Sequence, residues 1–216
     1  FLSRQVVWDL AVWALLAGLI GARIGHVLFY EPTYYFSNPI EILYFWQGGA
    51  SSLGGFIGAG LAIWLFAKIR KFTRAELLVY LDVLSPGFWL GWAIGRIGCF
   101  FIHDHPGILS NFFLAMNFPD GARYDLGLLD SILAWFLFGL SLVLIKKWKK
   151  RAVGELAMCL FAIYAFARFW LDFLRVADSR FFYLTPAQWG MGAVFLGLTF
   201  LFFFAKIRST LSLRMK

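Results

Sequence analysis

Residues 164–175 read Tyr-Ala-Phe-Ala-Arg-Phe-Trp-Leu-Asp-Phe-Leu-Arg and close an apolar run that begins near residue 153. The run is long enough to cross hydrocarbon as a helix. Yet Tyr164, Arg168, Asp172 and Arg175 recur at i, i+4, i+8 and i+11, one face of that helix. Charge at membrane depth is costly, so such a face turns toward a protein interior or a water-filled cavity and often marks a functional site. A span with this stripe needs other spans around it.

The rest of the chain supplies them. Its 216 residues are 61% hydrophobic and 20% aromatic, with only 15% charged and a mean hydropathy of +0.74. Apolar stretches of spanning length recur at roughly 6–29, 51–70, 76–101, 127–146, 153–174 and 186–206. A β-barrel is excluded, because its segments would run about ten residues and alternate. The reading is an all-α fold: a polytopic helical integral membrane protein of about six spans, forming a single transmembrane domain over 1–216.

The net charge of +8 is then no nucleic-acid footprint. Basic clusters at Lys68–Arg74, Lys146–Arg151 and Lys206–Lys216, with Arg4, all fall on one side if six spans alternate. That side is cytoplasmic by the positive-inside bias and holds both termini. Arg23, Arg96, Arg123, Arg168, Arg175 and Arg180 fall toward the opposite side, with all three histidines, His26, His103 and His105. The polar chemistry therefore gathers near the outer leaflet.

Each candidate carries two readings. Arg23 is a snorkelling side chain or a site residue. The segment 40–50 is too short to cross and is interfacial or re-entrant. The glycines that follow, Gly48, Gly49, Gly54 and Gly55, line a cavity or loosen the start of a span. Arg96, flanked by Gly95 and Gly98, matches a phosphate bidentately or pairs with a buried acid. His103-Asp104-His105 serves acid/base chemistry, surface exposure or a metal, but no further ligand cluster supports the metal. Asn117–Gly121 reads as a turn, and Asp130 falls one turn into span four. Cys99 and Cys159 lie inside apolar segments and form neither a disulfide framework nor a paired metal motif.

Five of these pieces, in order, resemble one family. Gly21–Tyr30 is similar to a Gly-Ala/Gly-Arg-Leu/Ile-Gly-Tyr-Val-Leu-Phe-Tyr segment, with His26 where Tyr is usual. Trp46-Gln47-Gly48-Gly49 with Gly54-Gly55 resembles Trp-x-Gly-Gly-Met-Ser-Phe-His-Gly-Gly. Gly95–Phe100 resembles Gly-Arg-Ile/Leu-Gly-Asn-Phe. Tyr164, Arg168, Asp172 and Arg175 match Tyr-Gly-x-x-Arg-x-x-x-Glu-x-x-Arg, and Leu184–Gln188 matches Leu/Ile-Thr/Ser-x-Gly-Gln. The chain thus resembles the prolipoprotein diacylglyceryl transferases of the bacterial inner membrane.

The resemblance implies an enzyme that moves the diacylglyceryl group of phosphatidylglycerol onto a lipobox cysteine thiol. A thioether forms and glycerol phosphate leaves. It implies Tyr164, Arg168 and Asp172 as the reacting face, and Asp104, His103 and His105, by their outward placement, are expected to join it in catalysis. Arg96 would hold the lipid phosphate, with Arg23, His26, Cys99, Gly107, Arg175, Gly48, Gly49, Gly54 and Gly55 around the substrates. The expected partners are phosphatidylglycerol or another anionic phospholipid and the signal peptide of a preprolipoprotein, with no cofactor, metal or nucleic acid. The active face would meet the outer leaflet, with the C-terminus cytoplasmic.

The departures are specific. The family histidine before the second Gly-Gly is Leu53, and the family Asn after Gly-Arg-Ile-Gly is Cys99. Asn-Gly-Glu-x-x-Gly becomes Ile102–Gly107, and His-Pro-x-x-Leu-Tyr-Glu becomes Arg123–Asp130. A further family span, carrying a functional Tyr, would precede Phe1. His103 or His105, or failing them His26, is expected to replace the lost histidine. A related transferase with another lipid or acceptor, and a lipid-binding or transport protein without catalysis, are the competing readings.

Overall fold

The structure is a computed structural model that describes residues 2–176 and 180–214, with side chains through Phe204. Among the described residues, six helices are long and apolar enough to cross a membrane. They are α1 (Arg4–Phe29), α3 (Ser52–Ile69), α4 (Arg74–Ile102), α5 (Leu126–Lys147), α6 (Glu155–Leu171) and α7 (Pro186–Arg214), and the short α2 (Pro32–Ser37) follows α1. The fold is that of a polytopic helical membrane protein; α7 runs eight residues past the expected limit of 206, and the other limits fall within a few residues of those expected. The basic cluster Lys206–Lys216 lies outside the described side chains.

Contacts group the chain into two units, Phe1–Tyr80 and Leu81–Lys216. In the first, α1 lies against α3 along a glycine seam. A Cβ on Gly54 would sit 2.3 Å from the Gly21 carbonyl oxygen, and one on Gly58 would sit 2.3 Å from that of Ala17. Small residues let membrane helices approach this closely, and the gain is dispersion contact rather than hydrophobic burial. Gly54, expected at the substrate, is thus a packing residue. Gly55 meets Gly18 and Ala22 at ordinary contact distance. Ser51 caps α3 by accepting from Gly54 N at 3.3 Å, and Ser51 N donates to Ala22 O at 2.9 Å.

The segment between α2 and α3 forms two 3₁₀ turns, Pro39–Leu43 and Phe45–Gln47. Arg23 organises it. Its Nε donates to Ile42 O, Nη1 to Gly48 O and Gly49 O, and Nη2 to Glu41 O and Tyr44 O. All five guanidinium N–H groups are engaged, and the residue is buried. Arg23 therefore neither snorkels nor offers a free fork to a phosphate. It holds the loop, with its charge over the Tyr35 ring at 5.0 Å. Losing one charged hydrogen bond costs about 1.5–3 kcal/mol. Arg23→Ala is expected to raise protease cleavage within 41–49 at least roughly tenfold. Timed proteolysis with mass spectrometry checks this, and an unchanged rate would contradict it.

In the second unit α6 packs between α5 and α7. Its start is capped from another helix: the Asp82 carboxylate of α4 accepts from Gly154 N at 2.8 Å and Ala157 N at 2.9 Å. These are orphan donors of the first turn, and a carboxylate also complements the helix dipole. Further along, Trp89 is fully buried against Phe161 and Tyr164.

The connection from α4 to α5 contains a sheet that the all-helical expectation lacked. Strands β1 (Pro106–Leu109), β2 (Met116–Phe118) and β3 (Gly121–Asp125) order as β1-β3-β2, all antiparallel. The expected turn is the Phe118–Gly121 hairpin. Arg123 ties the sheet by pairing with Asp120 and donating to Gly107 O. Gly107 is a close-approach position: a Cβ there would meet Tyr124 O at 2.9 Å and Leu174 O at 3.0 Å. It bridges to Arg175, and this backbone packing accounts for a glycine here.

Candidate active site

The polar stripe on residues 164–175 holds as a helical face only through its third member. Helix α6 ends at Leu171, Asp172–Leu174 tighten into a 3₁₀ turn, and Arg175 is extended. Tyr164, Arg168 and Asp172 are buried within the second unit, and Arg175 reaches the same acid from beyond the helix end.

Two acids organise the cluster. Asp130, one turn into α5, sets Oδ2 2.7 Å from Arg96 Nε and 4.0 Å from Arg168 Nε. The Tyr164 hydroxyl donates to the same oxygen at 3.4 Å and accepts from Trp92 Nε1 at 3.1 Å. Asp172 pairs with Arg168 Nη2 at 3.0 Å and lies 3.9 Å from Arg175 Nη1. Thr185 donates its hydroxyl to Asp172 Oδ2. Gln188 fixes Thr185 in turn: Thr185 N donates to Gln188 Oε1, Gln188 N donates to Thr185 Oγ1, and Gln188 Nε2 donates to Phe169 O. Asp172 is therefore fixed between Arg168, Arg175 and Thr185, with Oδ1 accepting no hydrogen bond among the described residues.

Three guanidiniums and two carboxylates meet here, nearly all of them out of solvent. Arg168 Nη1, Asp130 Oδ1 and Asp172 Oδ1 lack a hydrogen-bond partner among the described residues. An unmatched buried donor costs about 1–3 kcal/mol, and an anionic oxygen reaching Arg168 Nη1 would satisfy it. Arg96, with readings of phosphate holder or buried acid partner, does pair with an acid. Its Nη1 also donates to Cys99 Sγ at 3.7 Å, and its charge lies over the Trp92 ring at 4.9 Å.

His105 stands beside this cluster. Its Nδ1 lies 2.8 Å from Asp104 O. Burial and the nearby guanidiniums of Arg175 and Arg96 hold its pKa below the usual histidine value. Donor atoms of Cys99, Asp104 and His105 lie within 4.8 Å of one another. The set is chemically able to ligate a metal, yet the two arginines beside it oppose a cation.

His103 has a different setting. Its Nδ1 is 2.6 Å from Oδ2 of Asp125, whose side chain is fully buried while the imidazole is 44% exposed. The ring sits edge-on to Phe100 and Phe118. His26, in the first unit, stacks on Tyr30 at 5.6 Å and meets Tyr35 edge-on. Beside it Gly48 and Gly49 take positive φ of 84° and 77°, and a Cβ on Gly49 would fall 2.6 Å from the His26 ring.

The second unit thus brings together Arg96, Cys99, Asp104, His105, Tyr164, Arg168, Asp172 and Arg175. Arg23, His26, Gly48, Gly49 and Gly54 belong to the first. Asp130, the centre of the cluster, was absent from the expected set. Its signal was present, since an acid one turn into an apolar span invites a partner. Thr185 and Gln188 had been visible only as part of a matched motif.

A family profile described as prolipoprotein diacylglyceryl transferase matches residues 2–207. Three relatives bear the name phosphatidylglycerol–prolipoprotein diacylglyceryl transferase. The one from Nitratidesulfovibrio vulgaris is 35% identical over 196 residues, 88% of this chain and 71% of the relative. The one from a Janthinobacterium species is 37% identical over 82% of this chain and 67% of the relative. The one from Bordetella parapertussis is 35% identical over 85% and 70%. Matched over almost its whole length, with every member of the arginine–carboxylate cluster but Asp130 coming from the motifs that carried the resemblance, this chain belongs to the prolipoprotein diacylglyceryl transferase family.

Proposed function

We propose that the chain, working as one transmembrane domain over 1–216, transfers the diacylglyceryl group of phosphatidylglycerol to a cysteine thiol in the signal peptide of a preprolipoprotein. The observation that carries this reading is the buried Arg96–Asp130–Arg168–Asp172–Arg175 cluster. Within it the guanidinium nitrogen Nη1 of Arg168 has no hydrogen-bond partner among the described residues. A phosphodiester oxygen is an acceptor for that donor, and its negative charge suits the guanidiniums around it.

Transfer breaks the bond between the glyceryl carbon and the phosphate oxygen, and a bond from sulfur to that carbon forms. The electron pair of the broken bond leaves on the phosphate, so the anion grows as the reaction proceeds. Guanidiniums already fixed by Asp130 and Asp172 meet that charge without reorganising, and stabilisation by such preorganised groups is commonly the main source of an enzyme's rate enhancement. The thiol proton must also leave, because the thiolate is the nucleophile. A histidine on the outer side, His103 or His105, takes it. The site faces the outer leaflet of the bacterial inner membrane, where lipid enters laterally and the signal peptide arrives from translocation.

Mass spectrometry of a lipobox peptide incubated with the protein and phosphatidylglycerol tests the reading. The expected result is a gain of one diacylglyceryl on the cysteine, and a peptide of unchanged mass would overturn it. Arg96→Ala is expected to lower the rate by roughly 10²-fold or more, the scale of losing one anion-stabilising donor. Arg96→Lys keeps the charge but loses the fork and recovers only part of the rate.

A further inference from the structure

The connection between α6 and α7 carries a turn whose residues are at odds with its backbone. Phe181 N donates to Leu184 O at 2.8 Å, and Leu184 N donates to Phe181 O at 3.1 Å. The two residues between them, Phe182 and Tyr183, take φ of +49° and +66°. Positive φ at both central residues of a closed two-residue loop marks a type I′ turn, which Asn-Gly suits best. Bulky residues are outliers in this left-handed region, and such strain persists only where something else holds it.

The protein holds neither ring. Phe182 is 88% exposed and Tyr183 89%, more than any other large apolar side chain among the described residues. The backbone of the turn is nevertheless fixed. Trp189 Nε1 donates to Phe181 O at 3.1 Å, and Leu184 leads directly into Thr185, whose hydroxyl donates to Asp172.

Those bonds set the level of the turn. The span built on α6 runs to Leu174, and that of α7 starts at Pro186. Trp189 lies three residues, about 4.5 Å, along α7. Its bond to Phe181 keeps the turn beside the first turn of the span rather than beyond it. A span end is the depth at which Trp and Tyr gather, with the ring against lipid and the polar tip among headgroups. Trp189 is itself exposed there.

We infer that the Phe182–Tyr183 turn is a membrane anchor, its two rings inserted among the headgroups and upper acyl chains of the leaflet in which α6 ends and α7 begins. Burial of the rings in that layer offsets the unfavourable backbone beneath them. The anchor also bears on the charged cluster, because the residue that follows the turn is the one that holds Asp172.

Fluorine NMR of the full chain in phosphatidylcholine–phosphatidylglycerol vesicles, with 4-trifluoromethylphenylalanine in place of Phe182, tests the anchor. The expected signal is broadened by a lipid that carries a nitroxide on its upper acyl chain and left sharp by a water-soluble nickel chelate. The reverse pattern would overturn the inference. So would lipid broadening that is lost when a lipobox peptide is absent, since the turn would then be a peptide contact. A double variant sets the two forces against one another. Phe182→Asn with Tyr183→Gly supplies the pair the turn prefers and removes both rings. Anchoring predicts amide exchange over 181–185 at least roughly tenfold faster in vesicles, with the rest of the second unit unchanged. Exchange as slow as in the wild type, or slower, would show that the turn's own backbone preference governs it and would overturn the anchor.

Discussion

Replacing Asp130 with alanine is expected to destabilise the protein by about 3–5 kcal/mol, the cost of leaving a buried charge without its partner, and to abolish transfer. Asp130 Oδ2 is 2.7 Å from Arg96 and also serves Arg168 and Tyr164. Its removal leaves two guanidiniums facing one another in a place almost without solvent. Asp130→Asn keeps the shape and one acceptor, so its loss of stability should be smaller while the rate stays low. Thermal unfolding in detergent with added lipid, beside the peptide transfer assay, measures both effects. Near-normal stability and rate in Asp130→Ala would refute the central role given to this acid.

The second large effect is expected at the α1–α3 seam. Gly54→Leu puts a side chain where even a Cβ would lie 2.3 Å from the Gly21 carbonyl oxygen and 2.8 Å from Gly25 Cα. The obstacle is backbone, so no rotamer change relieves it, and the helices must separate. The expected loss is at or above about 3 kcal/mol, the upper end for overpacking, seen as a lower melting temperature and poor accumulation in the membrane. Gly60 is the control. It lies on the same helix with nothing within 4 Å of a Cβ. Gly60→Ala should stabilise by about 0.5–1 kcal/mol through helix propensity. Equal behaviour of the two variants would show that the seam is not close-packed.

The spans were legible because hydropathy over about twenty residues is a strong, local signal. The stripe Tyr164, Arg168, Asp172 was legible through helical spacing. Arg175 was singled out by the same spacing, yet it reaches Asp172 from extended backbone, because the helix ends at Leu171. The sheet escaped because strands of three to five residues, paired across a loop, are fixed by tertiary hydrogen bonds rather than by local pattern. Arg23 and Gly54 were singled out as unusual, but their packing was not legible. Sequence shows that a residue is out of place, but five carbonyls around a guanidinium or a backbone 2.3 Å from an absent Cβ exist only after folding. Asp130 and Asp125 share that reason: the partners of a buried acid come from other helices and loops.

The cap that Asp82 places on α6 also acts as a gauge. Asp82 precedes Arg96 by fourteen residues on α4, and Gly154 precedes Arg168 by fourteen on α6. Two helices pinned at one end and rising equally, about 1.5 Å per residue, bring Arg96 and Arg168 level at Asp130 roughly 21 Å away. The accuracy of the charged cluster is thus set by an uncharged measurement, the equal length of two rods. Deleting one residue between 157 and 168 would leave every functional side chain in the sequence, yet it would rotate and draw back Arg168 by one step from the acid it has to meet.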